Sequence, residues 1–166
     1  MILSAIGVVS DCVDRQGSLI DSSGYGVRGL LLRCSGRKAQ GALVPVAQAD
    51  TEGISLVPVL IATIRSRSTA NAGEMFDSRR AGGVSYASIV FSIPPDVARK
   101  TGDVQWPASL PGSPQESFVT VSANHLDKQS FVSDLSAAAK RNERGKVLVF
   151  VDGFNNRFDQ AVYRFA

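Results

Sequence analysis

The chain has 166 residues, 44% hydrophobic and 20% charged, which suits one domain with a real core. Its net charge of +3 and pI near 9.1 come largely from arginines, but aromatics are only 7%, so a base-stacking nucleic-acid interface is not favoured. No apolar run approaches the ~18 residues needed to cross a bilayer, Cys12 and Cys34 are too few and too far apart for a metal site, and neither cofactor nor metal is expected.

Residues 1–50 mix Gly, Ser, Asp and Arg with short apolar patches and show no sustained period, so they are expected to be poorly ordered, with the folded domain spanning 51–166. Within them, Val27-Arg-Gly-Leu-Leu-Leu-Arg-Cys34 is similar to the end of a bacterial lipoprotein signal. Its apolar core is only Leu30 to Leu32, well short of a 7–15-residue h-region, which makes it at most a degraded signal near Cys34. The sequence leaves the location open between the cytoplasm, which it favours slightly, and a degraded lipoprotein-type signal near Cys34. Ser35-Gly-Arg-Lys38 fits an S-x-x-K pattern that arises often by chance. Asp11 and Asp14, like Asp50 and Glu52, read as solvated charges without a cleft to shift one of them.

Order is expected from Leu56 to Arg65, a β-rich run in which Pro58 points to an edge strand or a strand start. Residues 66–83, polar and containing Gly82-Gly83, read as a loop. Tyr86 to Ile93 is the next strand, ended by Pro94-Pro95. A Pro/Gly-rich connection anchored by Trp106 leads to a short strand, Phe118 to Ser122. His125 reads as a turn or surface histidine.

Asp127 opens a predicted helix with Phe131, Leu135 and Ala138 on one face. Arg141, Arg144 and Lys146 gather at its end, with Gly145 as the C′ residue. Val147 to Val151 has no polar alternation and is expected to be a strand buried on both faces, the most buried segment of the chain. Asp152-Gly153 breaks it. Asn155 or Asn156 is the expected cap of a final helix carrying Phe158, Val162 and Phe165, with Asp159 at a capping-box-like spacing from Asn156. Strand, tight turn and helix N-terminus form a place where open α/β sheets receive ligands and developing negative charge. The expected fold class is therefore α/β: a β-rich opening, then helix–strand–helix.

At this point the residues resemble a family. Pro58-Val-Leu-Ile-Ala-Thr, Gly83-Val-Ser-Tyr86 with Val90-Phe-Ser-Ile-Pro-Pro95, Gly102-Asp-Val-Gln-Trp-Pro107 and Lys146-Val-Leu-Val-Phe-Val-Asp-Gly-Phe-Asn155 resemble, in order, the N-terminal portion of bacterial α/β hydrolases of the esterase/lipase-like superfamily. The resemblance implies an incomplete hydrolase-type sheet. It also implies that the backbone N–H groups of Gly153 and Phe154 form half of an oxyanion hole, with another N–H coming from the residue after a nucleophilic serine. Asp152 stands where the family has His, and a carboxylate there would repel a developing oxyanion. No G-x-S-x-G occurs, and the sole histidine, His125, precedes the last strand, whereas the triad order puts it after the nucleophile.

Three readings compete. The first is the N-terminal portion of a serine esterase-like hydrolase, inactive alone, with substrate unknown. The second is a non-catalytic truncated product acting through association, or self-association, along an unfinished sheet. The third is nucleic-acid binding through the arginines, with a steep salt dependence.

Overall fold

The computed structural model describes residues 5–9, 41–46, 53–70, 72–99, 104–141, 147–152 and 156–165. Cys12, Cys34, the lipoprotein-like stretch, Ser35–Lys38, the acidic pairs near residues 11–14 and 50–52, and Gly145 lie outside the described residues, as do Gly153, Phe154 and Asn155.

The fold is α/β. Its strands are β1 (Ala5–Val9), β2 (Ser55–Arg67), β3 (Phe76–Ile93), β4 (Val119–Leu126) and β5 (Leu148–Asp152), and its helices are α1 (Lys128–Arg141) and α2 (Phe158–Phe165). They form one five-stranded sheet in the order β4-β3-β2-β1-β5. β1 pairs parallel with both β2 and β5, while β3 pairs antiparallel with β2 and with β4. β4 and β5 therefore run the same way at opposite edges, and the chain passes through α1 between them.

The pleat sorts the side chains by parity. On one face, Val59 and Ile61 of β2 and Ala87, Ile89 and Phe91 of β3 are buried against Phe158, Ala161, Val162 and Tyr163 of α2. On the other, Tyr86 meets Phe131 of α1 with ring centroids 4.7 Å apart. Leu60 and Ser88 line a cavity of about 170 Å³ with Ala137 and Ala138 of α1. Helices on both faces make a three-layer sandwich. Asp127 starts α1 as expected, its Oδ1 accepting the Ser130 N–H at 2.7 Å.

Four expectations are corrected. Parts of the stretch expected to be poorly ordered belong to the fold: Ala5–Val9 pairs on both sides, and Ala42 and Leu43 are core residues. The Ala42 carbonyl accepts hydrogen bonds from the Tyr163 hydroxyl (2.8 Å) and Thr120 Oγ1 (3.0 Å), and the Val46 N–H donates to the Thr120 carbonyl at 2.9 Å. Gly41, at φ +91°, approaches Gly73 so closely that a Cβ on Gly73 would lie 2.4 Å from the Gly41 Cα. Distant partners order this segment, and no local period announces them.

Residues 66–83 are mostly strand rather than loop. β2 and β3 continue as a hairpin through Arg65↔Arg80 and Arg67↔Phe76, with register shifts that absorb the extra residues around Gly82-Gly83. Both faces are largely solvated there, so no apolar alternation was available to mark the strands. β2 is an inner strand, not an edge. Pro58 is tolerated because the ladder to β1 begins one residue later, at Val59.

β5 is the fourth correction. Leu148, Val149 and Val151 are 53%, 55% and 60% exposed, so the strand is among the least covered of the sheet. It is an edge strand, and α1 packs over β3 rather than over it. An apolar run reports side-chain chemistry, and its neighbours decide whether it is buried. Phe91→Ala should therefore cost about 3–5 kcal/mol of folding stability, as a large core aromatic does. Val149→Ala should cost about 0.5 kcal/mol. Urea denaturation of both variants checks the contrast, and equal losses would contradict this placement of β5.

Candidate functional site

The carboxyl ends of β1, β2 and β5 meet at one end of the sheet. Thr63, Val9 and Asp152 stand in one row across these strands. Parity places Thr63 and Asp152 on the α2 side, as it does Phe150, which stacks on Phe165 at 5.4 Å. Thr63, Arg65 and Asp152 are all buried, an unusual density of polar groups for a sheet interior.

Asn156 holds this end together. Its Nδ2 donates to Asp152 Oδ1 at 3.1 Å, its backbone carbonyl accepts from Arg65 Nη2 at 2.9 Å, and its Oδ1 accepts from Arg164 Nη1 at 2.9 Å. One side chain and its carbonyl thus join the ends of β2 and β5 to the last turn of α2. Asp152 Oδ2 is buried and has no hydrogen-bond donor among the described residues. An unsatisfied buried acceptor costs about 1–3 kcal/mol, and in a native fold it tends to mark a site rather than a scaffold.

The expected cap is corrected here. Arg157, not Asn156, is the residue before α2. Gln160 Oε1 accepts the Arg157 N–H at 3.3 Å, the reverse half of a capping box, and Asp159 instead takes the Arg157 guanidinium in a two-point pair. That pair holds the Arg157 guanidinium above its usual range, chiefly through the hydrogen bond to Asp159. The Asn156 side-chain amide and both of its oxygens are taken by Asp152, Arg164 and Arg65 instead. Sequence reasoning missed Arg65 and Arg164 as members of the site. The two lie 91 and 8 residues from Asn156, and no local spacing links them to it.

His125 is a surface histidine, as one of the two expected readings had it, and lies near the end of β4 on the strand rather than in a turn. Its ring and that of Phe76 form a T-shaped pair with centroids 5.0 Å apart, and Phe76 in turn meets Phe158 at 4.8 Å. Its pKa is lowered, first by desolvation and then by the charge of Arg67. Gly153 and Phe154, assigned above to the oxyanion loop, lie outside the described residues, and the Asp152–Asn156 pair flanks them. Among the described residues no three His, Cys, Asp or Glu side chains group to hold a metal, and no helix is long and apolar enough to cross a membrane.

Residues 127–166 match the family model described as alpha/beta hydrolase of unknown function (DUF900). This part of the chain is α/β-hydrolase-like. The match runs from the start of α1 through β5 and α2, about a quarter of the chain, and includes Asp152 and Asn156. No curated protein and no solved structure matches the chain.

The lowered pKa of His125 means that the fold disfavours its protonated form. The stability linked to it is present above the unfolded value near 6.5 and is lost as pH falls through the folded value. Arg67→Ala should raise the His125 pKa part of the way back, because desolvation, the larger cause, remains. NMR titration of the imidazole checks this, and an unchanged pKa would mean that Arg67 does not act on the ring.

Proposed function

We propose that this chain is the oxyanion-loop portion of a serine-type hydrolase of ester bonds, and that alone it turns over no ester. The observation that carries the proposal is the family match over a segment whose parallel strand β5 runs into the N-terminal end of α2 at the carboxyl edge of the sheet. By the family resemblance, Gly153 and Phe154 are the residues whose backbone N–H groups would act as the donors. The sequence contains no G-x-S-x-G to supply a nucleophile, and its one histidine lies on β4 beside an aromatic ring. The repulsion expected from Asp152 is moderated, because Asn156 engages its carboxylate and two arginines hold the same asparagine. A fluorophosphonate probe for nucleophilic serines should leave the purified chain unlabelled, and robust labelling of one serine would sink the proposal. In a protein joining this chain to a segment that carries a G-x-S-x-G, Phe154→Pro removes one donor. It should lower kcat by about 10²–10³ with little change in KM.

A second reading, association through the sheet edge, is favoured by the exposure of Leu148, Val149 and Val151 on β5. An edge strand offers unpaired N–H and C=O groups, and apolar side chains beside them reward pairing with another chain. Size-exclusion chromatography at tens of micromolar should then give a species larger than a monomer, which Val149→Asp converts to monomer. A clean monomer for the parent chain would remove this reading.

A further inference from the structure

We infer that the cavity walled by residues 41–46 and by the loop 107–112 is a binding site for a neutral, apolar small molecule. Its walls carry three prolines with Val44, Val46 and Leu110, its base is formed by Thr120 and Tyr163, and its volume is about 430 Å³. Among the described residues no charged side chain lines it. The cavity lies at the amino end of β4, away from the polar cluster at the carboxyl ends of β2 and β5. Thr120 pairs with Phe91, whereas Thr63 pairs with Ser85 further along β3. At ~3.3 Å per strand residue the two places are about 20 Å apart. The inference therefore stands apart from the oxyanion-loop reading.

The hydrogen bonds around the cavity set the chemistry of its ligand. The Tyr163 and Thr120 hydroxyls both donate to the Ala42 carbonyl, so neither keeps a proton for a ligand. The Val44 and Val46 N–H groups go to the Gly41 and Thr120 carbonyls, and Pro45, Pro107 and Pro111 have no N–H to offer. A carboxylate or phosphate entering here would lose its water and gain few donors. An apolar molecule gains from each carbon it buries. The walls are also fastened in advance. The bond from Val46 ties one of them to β4, and the Phe118 N–H donates to the Gln105 carbonyl at 2.9 Å beside the other. A Cβ on Gly112 would lie 2.5 Å from Pro107 Cβ and 2.8 Å from Val119 Cγ1, so this loop is packed directly on β4. Preformed apolar pockets of this size are what small ligands use. A cavity of about 150 Å³ holds benzene, and by the same ratio this one takes on the order of fifteen carbon atoms.

Titration of the full chain with N-phenylnaphthylamine, a neutral aromatic of about this size, tests the site without needing turnover. The probe's fluorescence should rise and saturate at one molecule per chain. Its sulfonated analogue, anilinonaphthalene sulfonate, should bind at least tenfold more weakly, although the chain's net charge of +3 would favour an anion. Decanol should displace the neutral probe at a concentration at least tenfold below that at which decanoate does. Val46→Trp fills the cavity while keeping the backbone bond to Thr120, and it should weaken the probe at least tenfold. Leu110→Trp fills it from the opposite wall and should do the same, circular dichroism showing for each that the variant is folded. Val149→Asp, on the exposed strand β5, should leave the affinity unchanged. Absent or non-saturating binding, equal affinity for the sulfonate, equal displacement by decanoate, full affinity in a folded cavity-filling variant, or loss of binding in Val149→Asp would each overturn the inference.

Discussion

One face of the β2–β3 hairpin carries Val59, Ile61, Ala87, Ile89 and Phe91, and these side chains must be covered. α2 covers them, and the rest of the molecule follows from how it does so. Phe158, Ala161, Val162 and Tyr163 supply the apolar stripe; Phe91 packs against the Tyr163 ring in a T-shaped pair at 4.8 Å, and Trp106 stacks on that ring at 4.6 Å. A fully buried tyrosine needs a partner for its hydroxyl. The Ala42 carbonyl provides one, and with it Leu43 enters the core. Burial pushes the Tyr163 pKa up to about 12, so this anchor stays neutral across the ordinary pH range. A single aromatic thereby recruits a segment more than a hundred residues earlier in the chain.

The same docking fixes the polar end of the sheet. With the apolar side of α2 held down along the helix, its N-terminal end must stand beside the ends of β2 and β5. That is where Asn156 finds Asp152, Arg65 and Arg164. Core packing and site geometry are thus one constraint acting at two ends of an eight-residue helix. Helices this short have little stability of their own, so the polar contacts and the apolar stripe depend on each other.

β5 shows the opposite balance. Its backbone is fixed by parallel pairing with β1, yet most of its side chains remain in water. Only Asp152, at its end, is buried, so the strand delivers one polar residue to the site while contributing little to the core. Its cover comes from one aromatic stack, Phe150 on Phe165, on the α2 side. Local opening should therefore be easier at this edge than in the β2–β3 hairpin.

The sequence by itself determined the α/β class, the helix that Asp127 opens, the stop at Pro94-Pro95, and the strand and helix that became β5 and α2, because each rests on local periodicity, capping or backbone restriction. It also carried the hydrolase resemblance, whose most specific block falls within the matched family segment. Only the tertiary structure decided the rest. The strand Ala5–Val9 became visible through its partners on both sides, and the polar half of the hairpin through a backbone ladder that needs no apolar pattern. Val147 to Val151 proved exposed because hydrophobicity states a preference and the available layers decide whether it is met. Asn156 read as a helix cap because capping is a local statistic. It instead joins three elements, since the partners that claim it, Arg65 above all, reach it only once the sheet has formed.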